Sequence, residues 1–526
     1  MSRRSQGRAG LTRSAVWLAA LLIASKVLGL AQEILMAGRF GTSSVTDAYA
    51  VAVTLPTVLF TLFSKGFSES YIPIHTRLPQ EKRDRLFSNT LTLLGLLSAL
   101  VAAIAALGAR PLAGLLAPGF QGEAAELTAA FCRVIVLQFP LLVFFALFSA
   151  RLQAQEDFIA VSIVDSLLVH FVLIASVLLA SLQHPMPLAY GYVLSTGAAG
   201  AALAVYARRK YRLRWHWMAD PHDADFRALC SLALPLGLSL LVDELNSMVD
   251  RMFSSGLGTG VTSALSYANR VQGLVMTLTT MLFIQVCYPR MNRYFAEGET
   301  EKGSGYVQKA LLIACYTSIP LVVMFALYAQ PIIRIIFQRG AFTDESTAVT
   351  AVCLTLYALG IPFFSFRRIL TNTLAANMRQ KLILRNTVIT VASNIALDFL
   401  LVGAWGYRGL ALATSLSGAL AAGLMYRDIR ALKLPVFTRR QAADVVKYAL
   451  ATACAAAVSL PVYRALLTAW SDELSALAAI AAAGMVYVLV TVLLKSELLI
   501  WLHAHLPAKL QILRGYFPVP GEDPRK

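Results

Sequence analysis

The chain has 526 residues, 57% of them hydrophobic and 14% charged, with a mean hydropathy of +0.64. Soluble domains carry about 25% charged residues, and apolar runs long enough to cross a bilayer recur here from end to end, so a soluble fold is excluded and an all-α polytopic membrane protein is expected. Short alternating strands of the β-barrel kind are not seen. The net charge of +17 reads as the positive-inside bias of loops on one face of a membrane, and no nucleic-acid partner is expected. Six cysteines (Cys132, Cys230, Cys287, Cys315, Cys353, Cys454) are scattered singly without metal-ligand spacing, which predicts core packing and no disulfide.

About fourteen spans are predicted by the 20-residue criterion, near 14–37, 46–74, 87–108, 126–150, 157–181, 186–207, 228–254, 261–288, 306–328, 346–374, 382–404, 408–426, 443–467 and 475–501. The first follows a basic N-terminus and is followed by no small-residue cleavage site, so it is kept as a helix of the protein. Basic groups precede span one (Arg3, Arg4, Arg8, Arg13) or follow even-numbered spans: Arg77 to Arg85, Arg208 to Arg214, Arg290 to Lys309, Arg427 to Arg440. The alternate loops, such as LQHPMP and SGLGTG, are short and poor in Lys and Arg. Both termini are therefore expected in the cytoplasm.

The longest hydrophilic loop, Arg208 to Arg227, divides two related runs of six spans. GTSSVTDAYA (from Gly41) matches GTGVTSALSYA (from Gly258) with one inserted residue. Tyr71-Ile-Pro73 with Arg77 matches Tyr288-Pro289 with Arg293. RPLAGLLAPGF and QPIIRIIFQRGAF occupy equivalent places and read as short amphipathic helices at the outer surface. An even number of spans per copy makes the repeat parallel, about an axis along the membrane normal. The division is 1–210 (spans one to six), 225–430 (seven to twelve), 440–502 (a pair outside the repeat) and a cytoplasmic tail, 503–526.

An ionisable side chain inside a membrane costs roughly 2.5–3.5 kcal/mol on the insertion scale and marks a functional site by default. Span one carries Lys26, Gly29 and Glu33 at spacings that share a helical face. Span two carries Asp47, then Lys65 and Glu69. Span seven carries Asp243, Asn246 and Asp250; span eight carries Asn269, Arg270 and Gln285; span eleven carries Asn394 and Asp398 one turn apart. Lys65 with Glu69 also reads as a structural pair, Arg133, Asp165 and His170 as structural or interfacial groups, and Arg367 and Arg368 as snorkelling side chains. Lysine and arginine facing water-filled space suit an anionic ligand, arginine by bidentate contact with phosphate. Asp250, Asn394, Asp398 and Thr414 supply the oxygen donors that suit a hard cation. No hydrolytic or transfer centre emerges, and no Walker A motif is present, so the chain is read as a non-enzyme without a cofactor. Its uphill work would come from an ion gradient (sodium or protons), the membrane potential or a downstream sink. His503 and His505 alternate near the C-terminus, and a metal role there is the minor reading.

With these residues in place, the chain resembles the MurJ/MviN family of lipid II flippases, in the MOP exporter superfamily. The matching pieces are Ser25-Lys26-Val27-Leu28-Gly29, Phe40-Gly41, Thr46-Asp47-Ala48-Tyr49, Leu55-Pro56, Val249-Asp250-Arg251, Tyr267-Ala268-Asn269-Arg270 and Phe337-Gln338-Arg339-Gly340-Ala341-Phe342-Thr343. The resemblance implies two six-helix lobes around a cationic cavity, alternating between inward- and outward-open states. It also implies a groove for a polyprenyl tail on the last two helices. It maps the family's cavity arginine onto Arg270, and a sodium site onto Asp250, Asn394, Asp398, Thr414 and the backbone carbonyl of Leu410. The sequence departs from the family pattern in five places: Lys26 and Gln32 stand for arginines on span one, Phe60 for an arginine on span two, Lys65 for an acid, and Leu374-Ala375-Ala376 for an aromatic stretch.

The expected protein is a multi-pass flippase of the bacterial inner membrane, moving a polyprenyl-diphosphate-linked saccharide such as lipid II. Lys26, Lys65 and Arg270 are expected on the diphosphate or acidic sugar substituents, and Asp47 and Asn269 on sugars or at the outer mouth. A paralogue that moves an exopolysaccharide or O-unit is the alternative left open by the departures. A cation-coupled drug exporter, a glycan polymerase or ligase and a non-transporting scaffold are the weaker ones. The expected partners are the lipid-linked glycan and membrane lipids, with the chain as a monomer, alone or beside cell-envelope biosynthesis proteins.

Overall fold

The computed structural model describes residues 2–435 and 437–499; the predicted tail 503–526, with His503 and His505, lies outside the described residues. Every regular element among the described residues is helical. Among the described residues twelve helices are long and apolar enough to cross a membrane, and a pair bent by 43°, Asp344–Ala358 with Ile361–Ala376, brings the number to thirteen if it is counted as one span. The predicted span 261–288 is a helix too, Val261–Leu282 continued by a π-helical turn to Cys287. Asn269, Arg270 and Gln272 lower its apolar character, and it is not among the helices that qualify, so the count of fourteen is not confirmed.

Packing divides the chain into two compact units: Met1–Ser266 with Phe337–Ser346, and Tyr267–Ile336 with Thr347–Lys526. This boundary differs from that of the sequence repeat. The seventh span packs with the first six, and so does the turn after the ninth.

In the first unit α1 runs Ser2–Phe40. Span two is α2 (Ser44–Ala52), α3 (Thr54–Phe60), a π-helical turn (Thr61–Lys65) and α4 (Gly66–Arg77). Pro56 lacks the N–H that would pair with the Ala52 carbonyl, which accounts for the break between α2 and α3. Next come α5 (Gln80–Leu107), the short helix α6 (Ala109–Leu116), and span four as α7 (Gly122–Ile135) and α8 (Gln138–Gln153). Span five is α9 (Phe158–Ile163), a π-helical turn and α10 (Val169–Leu179); span six is α11 (Met186–Tyr211). Then α12 (Ala224–Ser255) begins at Asp223, whose carboxylate accepts the N–H groups of Asp225 and Phe226 at 3.0 Å, a side-chain cap of the usual kind. It packs along α4 and the π-helical turn before it. Two clusters fill this unit. One is built on Phe40, Val45, Phe131 and Ile135, the other on Tyr71, Phe87, Phe139 and Phe148.

The second unit takes up α13 (Val261–Leu282) from Tyr267, followed by α14 (Tyr288–Ala296) and α15 (Thr300–Phe337). The outer amphipathic segment predicted after span nine is the end of α15, set off by a kink at Tyr328. Pro331 cannot donate to the carbonyl four residues back, which explains a kink at that height. The bent pair is α16 (Asp344–Ala358) and α17 (Ile361–Ala376). α18 (Gln380–Trp405) packs on α19 (Tyr407–Ala431), and α20 (Arg439–Leu466) on α21 (Asp472–Leu493). The last pair meets through Ala451, Ala455, Ala476, Ala479 and Ala483, small residues that let membrane helices approach closely.

Candidate functional site

Asp47 is buried at 1% exposure in the first turn of α2. One carboxylate oxygen accepts the Gly260 N–H at 2.5 Å and the other the Ser263 N–H at 2.7 Å. These are the first amides of α13. A helix start normally takes a capping oxygen from its own chain, but Gly260 has no side chain to give one. It has φ +85°, and a Cβ there would sit 2.7 Å from the Thr42 carbonyl oxygen. The cap comes instead from the matching turn of the other repeat, and its negative charge faces the positive end of the helix dipole. The two copies of the GT-rich turn are thus fastened to each other.

The same region carries a second fastening. The Ala341 N–H donates to the Gly38 carbonyl at 2.8 Å, and the Thr42 and Ser346 hydroxyls lie 2.7 Å apart. The Phe337-to-Thr343 motif therefore clips the end of α1. Gly119 N–H donates to Ser255 Oγ at 3.0 Å and brings the turn after α6 against the end of α12.

Asn394 and Asp398 are 1% and 0% exposed. Asn394 donates to Asp398 Oδ2 at 2.7 Å and accepts from the Ser417 hydroxyl at 2.6 Å. Thr414 donates to the Leu410 carbonyl at 3.1 Å, and Ser417 Oγ also lies 2.8 Å from the Thr414 carbonyl oxygen. Four of the five expected cation ligands thus sit on the packed pair α18 and α19, with Ser417 as a member that spacing did not single out. Asp250, half-buried, lies on α12 in the other unit. The side-chain and carbonyl oxygens of the α18–α19 cluster are of the kind that suits a hard cation.

Lys26 is exposed on α1, and Lys65 is half-buried at the end of the π-helical turn. No ion pair links Lys65 to Glu69 among the described residues. Asn269 and Arg270 are exposed on α13. His170 packs on α1, with its ring nitrogens 3.3 Å from Ser25 Oγ and from Gln32 Oε1, while Arg133 is exposed. Pairing by spacing missed the group formed by His75, Arg151 and Asp84, in which Arg151 is buried, contacts His75 and reaches Asp84 at 2.7 Å. These three stand on different spans, so no local pattern connects them.

The family model described as "Lipid II flippase MurJ" matches residues 36–480. A probable lipid II flippase MurJ of Rickettsia prowazekii is 26% identical over 79% of this chain and 83% of its own length. One from Thermotoga maritima is 25% identical over 90% of this chain and 94% of its own. Among solved structures, a lipid II flippase MurJ in an inward closed conformation superposes with TM-score 0.80 at 21% identity, covering 92% of this chain and all of that one. An inward-facing MATE multidrug transporter of the MOP superfamily superposes at 0.65 and 16% identity, over 78% of this chain and 95% of that one. These two likenesses show the fold.

Proposed function

This chain belongs to the MurJ family of lipid II flippases, and from that membership we propose that it carries lipid II across the bacterial inner membrane by alternating access, with both termini in the cytoplasm. The observation that carries the reading is the family match over both repeats together with Arg270, a cation on α13. Lys26, Lys65 and Arg270 contact the diphosphate or acidic substituents of the substrate. Asn269 contacts sugars. Asp47 holds the outer turns together and is released when the outer side opens. The polyprenyl tail runs along α20 and α21.

The oxygen donors of Asn394, Asp398, Leu410 and Thr414 on α18 and α19 hold the coupling cation, sodium or a proton, which biases one state of the cycle over the other. A ligand shifts such an equilibrium only by its difference in affinity for the two states.

A second reading is favoured by Lys65, Gln32 and Phe60, which change the charge pattern of spans one and two: the carried glycan is an exopolysaccharide or O-unit on the same kind of carrier. Binding of purified full-length protein to lipid II, compared with a polyprenyl-diphosphate bearing an unrelated oligosaccharide, separates the two. Preference for lipid II supports the first reading, and preference for the other glycan replaces it with the second.

A further inference from the structure

Residues after α11 form a strap that the function above does not use. Arg212 takes a left-handed backbone, φ +52°, and turns the chain back along α5. Three buried polar side chains of α5 hold the strap in place. Thr92 accepts the Trp215 indole N–H at 3.1 Å, Ser88 accepts the His216 N–H at 3.2 Å, and Asn89 bonds both backbone groups of Asp220 at 2.8 Å. Ser88, Asn89 and Thr92 are 1%, 0% and 3% exposed, so the anchor is built into the core of the helix.

Beneath the strap lies a cavity of about 1070 Å³. Its wall is apolar, with Phe87, Leu91, Pro140, Phe144 and Phe148, and it continues onto Leu96, which is 48% exposed on α5. Its rim is Arg208, Arg212 and Arg214, all exposed, with Trp215 and Trp217 packed edge to face at 5.8 Å. The lining has no carboxylate. Three acids of the adjoining segments are engaged in ion pairs: Asp157 with Lys210, and Asp220 and Asp223 with Arg85. Tryptophans half in and half out are typical of the level of lipid headgroups, and basic pockets between spans on the cytoplasmic side suit anionic headgroups.

We propose that this groove binds one anionic diacyl phospholipid, with its phosphate on Arg208, Arg212 and Arg214 and its acyl chains against the aromatic wall between α5, α8 and α11. A free phosphate would leave the apolar wall unused, and a zwitterionic lipid would bring a cation to a rim that already holds three. The site uses none of the residues assigned to the transported substrate. It rests on the proposed function only in placing the strap at the cytoplasmic surface.

The test is native mass spectrometry of the detergent-solubilised full chain with phosphatidylglycerol, phosphatidylethanolamine, inorganic phosphate and a polyprenyl phosphate as separate probes. One phosphatidylglycerol is expected to be retained. The triple change Arg208→Gln, Arg212→Gln, Arg214→Gln is expected to weaken it about a hundred-fold, each cation contributing roughly five-fold. Gly95→Phe fills the groove and is expected to abolish retention. A Cβ at Gly95 meets nothing within 4 Å, so this variant carries the test if the triple one fails to fold. Equal retention of phosphatidylethanolamine, retention unchanged in either folded variant, competition by inorganic phosphate, or tighter retention of the polyprenyl phosphate would each overturn the proposal. Retention is read without transport, so loss of flippase activity with retention intact would count against the proposed function alone.

Discussion

Gly66 and Gly237 bring α4 and α12 into backbone contact. A Cβ on Gly66 would lie 2.1 Å from the Ala233 carbonyl oxygen and 2.7 Å from the Gly237 nitrogen, and one on Gly237 would lie 3.4 Å from the Leu62 carbonyl oxygen. The contact follows directly on the π-helical turn that ends at Lys65, so the position of this cation is tied to the crossing. Overpacking of this kind costs about 1–3 kcal/mol. Gly66→Ala is expected to lower the melting temperature in detergent clearly, and Gly237→Ala much less. Equal effects, or none from Gly66→Ala, would mean that the two helices part without cost.

Asp47 predicts a different kind of change. Removing its carboxylate leaves the Gly260 and Ser263 amides buried without their acceptor, at a cost of about 2–3 kcal/mol. Asp47→Ala is expected to speed hydrogen exchange in residues 258–268 by roughly 30- to 150-fold, that free energy expressed as a population, while peptides from α18 exchange as before. Unchanged exchange at 258–268 would remove Asp47 from the fastening of the two GT-rich turns.

For Asp398 the reading is chemical. Asp398→Asn keeps the shape and the hydrogen-bonding capacity toward Asn394 but removes the charge. If the α18–α19 cluster holds a coupling cation, sodium raises the melting temperature of the wild-type protein, and this shift disappears in Asp398→Asn. A sodium shift of equal size in the variant would exclude the cluster as the ligand set.

Asp157 lies in the loop before α9 and accepts hydrogen bonds from Lys210 at 2.8 Å, Tyr211 at 2.8 Å and Tyr206 at 2.9 Å. Burial pushes its carboxyl upward, but the three hydrogen bonds from Lys210, Tyr211 and Tyr206 and the Lys210 charge outweigh that and hold it below the ordinary carboxylate value. A depressed carboxyl stabilises the fold above its unfolded-state pKa, about 3.9, and the contribution is lost as pH falls through the folded-state value. Asp157→Asn is expected to be less stable than wild type at neutral pH by roughly 1 kcal/mol, with the difference closing below about pH 4. A gap that stays constant down to pH 3 would assign it to packing.

The spans were legible because hydropathy over 20 residues is a strong signal, and the boundaries fall close to those expected. The helix of Asn269 and Arg270 was legible as a helix but falls short as an apolar one, for the same reason that makes it of interest. Asn394 with Asp398 was legible because one turn of helix superposes the two side chains. Asp47 stood out as a charge, yet its partners are backbone amides, which leave no trace in residue type. The strap after α11 read only as a hydrophilic loop, since its anchors on α5 are more than a hundred residues away. The packing boundary was hidden for a related reason: the repeat groups α12 by ancestry with the later spans, whereas its contacts are with α4.

The most direct measurement is complementation: deplete the resident lipid II flippase of a bacterial host, express this chain, and quantify lipid II in the outer leaflet with an impermeant reagent. The account predicts that wild-type protein restores outer-leaflet lipid II and growth, and that Arg270→Ala and Arg270→Glu, present in the membrane at equal levels, do not. Restoration by Arg270→Glu would contradict the role given to that cation, and failure of the well-expressed wild type would contradict lipid II as the substrate.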